Sequence, residues 1–210
     1  MKRMEPIHWV LAGLAATGIV LWLGAIVQID YSSHPVHSET ARRLPANPIA
    51  FRFDLAAVDG SHVSDASYRG DWLLVFFGFT RCGEICARAL KTISRVKSSR
   101  TAAPSMQGIF ISIDSPADTP SAVAAYLARF DPQIVGLTGP RDALFEVVKS
   151  IELYAGSVGQ SPSTDGVFLA SSPYIYLVSP TGTLVDSFEF DASAEAISED
   201  LQRWMSGKGE

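Results

Sequence analysis

Cysteine and histidine are both scarce in this chain, and each scarcity closes off chemistry. Among 210 residues there are two cysteines, Cys82 and Cys86. That is too few for the disulfide framework that usually holds a small secreted domain together. No distant second cysteine exists to resolve a peroxidase of the peroxiredoxin kind. The four histidines are His8, His34, His37 and His62, so no imidazole is available anywhere after His62. Excess basic charge is missing too: the net charge is −5, which gives no attraction for nucleic acid. No repeat of fixed period is visible. What remains is a chain with 47% hydrophobic and 19% charged residues, a composition that folds or attaches to membranes and does not stay disordered.

Charge is also absent from Trp9 to Val27, an apolar run that as a helix spans about 28 Å, close to the hydrocarbon core of a bilayer. Lys2 and Arg3 precede it, so the start stays cytoplasmic and the remainder is exported. The run exceeds a signal peptide's apolar region and no A-x-A site follows, which favours an uncleaved anchor over a cleaved signal. The expected organisation is an anchor over residues 1–30, a tether over 31–50, a domain over 51–206 and a short tail over 207–210. The tether is polar and punctuated by Pro35, Pro45 and Pro48. It carries His34 and His37, read as solvated spacer residues in preference to the alternative, a pair of copper ligands on the tether. The expected location is the inner membrane, crossed once, with the domain on the periplasmic or other extracytoplasmic side. There a cysteine pair can be oxidised.

Within the domain, Phe51 to Leu55 alternates and resumes at His62 and Val63 after an Asp59-Gly60 turn, as in a hairpin at a sheet edge. Trp72 to Phe77 is unbroken apolar sequence, as expected of a strand buried on both faces. Ile85, Leu90, Ile93 and Val96 mark a helix, and Gln107 to Ile113 a second buried strand. Asp118-Thr119-Pro120 starts a helix carrying Val123, Leu127 and Phe130. Ile134 to Leu137 is a short strand, and Leu144, Val147, Val148 and Ile151 mark another helix. Gly156 to Gly166 reads as a loop. Two strands flank the Pro180-Thr181-Gly182 turn, and Ser193 caps a last helix with Ile197, Leu201 and Trp204. This order predicts an α/β chain of thioredoxin-like fold with an N-terminal β-hairpin and an αβ insertion, preceded by one transmembrane helix.

The two cysteines fall where the first buried strand gives way to a helix. At a spacing of four they are within bridging reach, so they could form a disulfide, hold a soft metal ion or switch between dithiol and disulfide. A bridge over so short a loop would stabilise a domain of this size little, which favours function over stapling. The helix start and Arg81 stabilise a thiolate, and Glu84 opposes both. Cys82 is expected to be the exposed, attacking sulfur and Cys86 the buried, resolving one.

The stretch Phe77-Gly-Phe-Thr-Arg-Cys-Gly-Glu-Ile-Cys86 resembles the signature of the SCO/SenC family, in which F-G-[YF]-T precedes C-P-x-x-C-P. Ser112-Ile-Asp-Ser-Pro-Ala-Asp-Thr-Pro120 is similar to that family's D-P-x-R-D-T segment, and Phe130-Asp-Pro132 and Gly136-Leu-Thr-Gly139 also match. The resemblance implies a thioredoxin-fold protein that assists assembly of the copper centre of cytochrome c oxidase. Its implied partner is an exported copper-site or thiol protein, a subunit of that oxidase. It implies copper held by Cys82 and Cys86 with a distant histidine, or thiol-disulfide chemistry at the same pair. Asp114, Asp118 and Thr119 carry over as residues that turn and cap the chain.

This chain departs from the pattern at three places. Gly83 and Ala87 stand where the family has prolines after its cysteines, and Ser171 stands in the slot of its histidine. Two thiolates alone suit copper(I), whereas copper(II) favours imidazole as well, so copper binding should be weakened. His62 replaces the missing ligand only if its hairpin folds over the cysteine turn. Ser172-Pro173 ahead of the strand Tyr174 to Val178 resembles the segment in which thioredoxin-like reductases place a cis-proline against their cysteines; the resemblance favours cis over the plainer alternative, a trans proline starting a strand. The expected site is therefore Cys82, Cys86 and Pro173. The two functions left open are a membrane-anchored thiol-disulfide oxidoreductase and a copper(I) carrier using the same sulfurs.

Overall fold

The seven residues Trp72–Gly78 carry no charge, and every one of them is buried in the computed structural model. They form β4, the strand around which the rest is laid. The structure describes residues 49–99, 105–114, 117–157 and 174–207, all within the unit Arg42–Glu210. On one side β4 pairs in parallel with β5 (Met106–Ser112), and on the other it pairs antiparallel with β7 (Tyr174–Val178). Alternation along β4 divides the core. Trp72, Leu74 and Phe76 face one layer, while Leu73, Val75 and Phe77 face the other.

The first layer is made by α1 (Glu84–Ser98), α2 (Pro120–Leu127) and α4 (Ala194–Met205). On α1, Cys86, Ala89, Leu90, Ile93 and Val96 are buried at the three- and four-residue spacing of one helix face. Pro120 sits in the first turn of α2, and the Thr119 hydroxyl caps it by accepting from Ala122 N at 3.3 Å. Ser193 does the same for α4, accepting from Ala196 N at 3.1 Å. The second layer holds α3 (Arg141–Ser157), through Leu144, Val147 and Ile151, together with Phe51, Phe53 and Leu55. Alternation over 51–55 is thus expressed as burial, with Arg52 and Asp54 exposed.

Eight strands run in the order β1-β8-β7-β4-β5-β6-β2-β3. Here β2 is Asp54–Ala57, β3 His62–Ser64, β6 Val135–Thr138 and β8 Thr183–Glu189. The hairpin β2–β3 closes one edge beside β6, as the sequence predicts. At the other edge lies β1 (Ile49–Ala50), paired with Leu184 and Thr183 of β8. Those two residues fall in the stretch expected to be tether. The pieces β4-α1-β5 and β7-β8-α4 give a thioredoxin-like α/β fold, and α2-β6 is the expected insertion. No helix among the described residues is long and apolar enough to cross a membrane. The segment expected to do so, residues 9–27, lies outside them.

Candidate functional site

After Gly78 the chain leaves the sheet through a tight turn, in which Cys82 N donates to Phe79 O at 3.1 Å. Gly83 follows with a φ of +73°, a backbone conformation that favours glycine, and α1 begins at Glu84. Cys82 therefore stands just outside the helix and Cys86 in its first turn. Their sulfurs are joined in a disulfide, with the Cα atoms 5.8 Å apart.

The two sulfurs have unequal surroundings. Cys86 is fully buried among the core residues of the first layer, while Cys82 is half-buried against the same cluster. Gly78 makes the close packing possible. A Cβ there would lie 2.6 Å from Cys86 Sγ and 2.9 Å from a ring carbon of Phe110. Around the bridge, Arg81 and Glu84 are exposed but engaged. Arg81 donates to Asp114 Oδ2 at 2.5 Å, a contact that holds its guanidinium pKa further up. Arg88 donates to Glu84 Oε1 at 3.1 Å. Each charge next to the cysteines thus has its own partner, and their influence on a Cys82 thiolate is partly cancelled. Gly83 offers no side chain to cap α1, so the N–H groups of the first turn remain the local positive pole. Between the cysteines Ile85 is 43% exposed, unusual for a large aliphatic side chain in this fold.

Beneath the turn lies Asp118, 1% exposed. Its carboxylate accepts from Thr80 N at 2.7 Å, from Thr80 Oγ1 at 2.6 Å and from Ser112 Oγ at 2.6 Å. Sequence reasoning placed Asp118 at the start of α2 as a turn and cap residue. The cap itself is Thr119, and Asp118 reaches back across 38 residues to the cysteine turn. No local pattern signals that contact; its one trace in the sequence is the shared D-x-x-x-D-T spacing.

Of the other expected site residues, Ser171 and Pro173 lie outside the described residues, as do His8, His34 and His37. His62 is described. It sits on β3, four strands from β4, about 19 Å away at ordinary strand spacing. It is exposed, with Nδ1 2.9 Å from Asp54 Oδ1. The hairpin lies at the sheet edge and does not fold over the cysteine turn. Among the described residues no group of three or more His, Cys, Asp or Glu side chains is placed to hold a metal ion. The donor set at the turn is two sulfurs, available once the bridge is reduced. That set fits a soft monovalent cation such as copper(I) and lacks the imidazole that copper(II) prefers.

The pattern of the SCO1/SenC family matches residues 41–206. The human mitochondrial protein SCO1 homolog is 31% identical over 191 residues, covering 89% of this chain and 63% of its own length. The cattle mitochondrial SCO2 homolog is 35% identical over 143 residues, covering 67% of this chain and 53% of its own. The chain therefore spans between about half and two thirds of the length of these curated relatives. The solved structure of Bradyrhizobium japonicum ScoI with copper bound is 30% identical, with a TM-score of 0.57, covering 74% of this chain and 99% of that one.

Proposed function

Because the chain belongs to the SCO1/SenC family, we propose that it is an assembly factor for the copper centre of cytochrome c oxidase, acting as a thiol-disulfide oxidoreductase through Cys82 and Cys86. It is anchored by its N-terminal segment, with the domain on the extracytoplasmic side, and its partner is an exported copper-site protein, a subunit of the oxidase. One observation carries this reading: the two sulfurs are bonded at a helix start, with Cys82 reachable and Cys86 sealed.

That asymmetry sets the order of steps. In the reduced chain the Cys82 thiolate, favoured by the α1 N-terminus, attacks one sulfur of the partner's disulfide. A mixed disulfide forms and one partner thiolate leaves. The Cys86 thiolate then attacks the Cys82 sulfur, releasing the second partner thiolate. Two electrons have passed to the partner, and this chain is left with the bridge seen here. Burial of Cys86 keeps it from competing for the partner in the first step.

A second reading is a copper(I) carrier that holds its cargo between the same sulfurs. Copper in the 30% identical ScoI structure supports it, as does the fit of two thiolates to a soft cation. Anaerobic copper(I) titration of the reduced chain separates the two. Weak binding, together with catalysed reduction of an oxidised copper-site protein and a mixed disulfide trapped on Cys82 in Cys86→Ser, supports the reductase. Tight one-to-one binding without disulfide exchange supports the carrier and rejects the reductase.

A further inference from the structure

The buried carboxylate under the cysteine turn makes no direct ion pair among the described residues; its hydrogen-bond donors are neutral, and Arg81 acts on it only at longer range. An ionised group removed from water is costly unless its donors stay in place. Two of the three donors to Asp118 come from one residue, the Thr80 N–H and hydroxyl, two positions before Cys82. The third, Ser112 Oγ, is anchored at the end of β5 beside the end of β4, where Ile113 N donates to Gly78 O at 3.0 Å. The backbone of Asp118 is fixed as well: its N–H donates to Asp114 O at 2.8 Å, and its carbonyl accepts from Thr138 Oγ1 at 3.4 Å. Arg81 adds a second tie to the same loop through Asp114. The residues leading into Cys82 are thereby bound to the sheet end by short, charge-assisted bonds.

We propose that Asp118 is a positioning residue for the Cys82–Cys86 couple: through Thr80 it holds the turn in the conformation that brings the two sulfurs together. The inference rests on the reading of the pair as a dithiol-disulfide couple. Positioning and bonding are thermodynamically linked. A clamp that favours the closed geometry favours the disulfide, and the disulfide favours the clamp by the same factor. Loosening the clamp lowers the effective concentration of one thiol near the other, so the bridge opens more readily. Ser112 serves as the fixed post and Thr80 as the moving end.

The test is the equilibrium of the full chain with glutathione, in which two glutathione molecules are oxidised to one glutathione disulfide as the Cys82–Cys86 bridge becomes two thiols. Thr80→Val keeps the branched shape and removes the hydroxyl donor. It should shift the equilibrium toward the dithiol by about tenfold, as the loss of one charge-assisted hydrogen bond predicts. Thr80→Ser, which restores the hydroxyl, should return to within about twofold of the parent chain. Asp118→Asn should shift it at least as far as Thr80→Val, and the two Thr80 variants decide the matter if that protein does not fold. Ile93→Val thins the core under the same helix without touching the turn; it should lower stability and leave the equilibrium within about twofold. A parent bridge that opens while Thr80→Val matches it, or an equal shift in Ile93→Val, overturns this inference alone. A parent bridge that no glutathione ratio opens overturns the functional reading and the inference with it.

Discussion

Tyr126, 7% exposed, buries its hydroxyl with no hydrogen-bond partner among the described residues, beside Phe110 and Phe130. An unmet buried hydroxyl is a standing cost, so Tyr126→Phe should raise unfolding stability by about 1 kcal/mol in urea titration near neutral pH. Burial also raises the pKa of this phenol above 10.0, the main cause being desolvation. In the unfolded chain the phenol ionises near 10.0, whereas the folded chain keeps it protonated to higher pH. The unfolded state therefore binds fewer protons, and stability falls as pH rises from 10.0 through the folded value. Tyr126→Phe should flatten that alkaline slope, measured by urea midpoints between about pH 9 and 11. The cysteines differ in the same local way. After reduction, iodoacetamide should label Cys82 well before Cys86, read by mass spectrometry; equal rates would remove the attacking and resolving roles. Unequal exposure follows from placement, since Cys82 precedes the helix and Cys86 falls on the buried face of its first turn.

The turn between β4 and α1 is crowded because a strand end, a helix start and a sulfur meet there. Gly78→Ala puts a methyl group against Cys86 Sγ and the Phe110 ring, closer than a real Cβ contact allows, so these buried side chains must shift. It should cost about 1–3 kcal/mol of stability by thermal or urea unfolding, the usual range for overpacking. Ser193→Ala removes the α4 cap and should cost about 1 kcal/mol without affecting labelling of Cys82. The helices and inner strands were legible because their apolar spacing is long and regular, as in Val123 and Leu127 or the unbroken run of β4. Two elements were not. The strand β1 has two residues and no pattern of its own; it exists because β8 offers it an edge. The 3-10 turn Asp65–Tyr68 has no buried residue and so no apolar periodicity to read.

For the molecule as a whole, the sheet order separates the one described histidine from the sulfurs. Three strands, β5, β6 and β2, lie between β4 and the strand that carries His62, so His62 is not a third ligand in this fold. His62→Ala should therefore leave copper(I) binding by the reduced full chain within about twofold, while Cys82→Ser should lower it by several orders of magnitude, as loss of one of two soft ligands requires. Competition with a coloured copper(I) chelator reads both. A marked loss in His62→Ala would mean that the hairpin moves over the turn.

Composition, apolar spacing and the cysteine signature were enough to place an α/β domain, its helices, its insertion and the sulfur pair, because each depends on residues near one another in the chain. Tertiary structure alone decided which sulfur is sealed, which edge the hairpin takes and what the acidic residue ahead of α2 binds. Those outcomes depend on groups far apart in sequence, such as Thr80 and Asp118, that meet when β4, β5 and β6 align their ends. Local preference carries no record of such a meeting, since any polar residue at a helix start has the same local signature whether it caps its own helix or holds another turn.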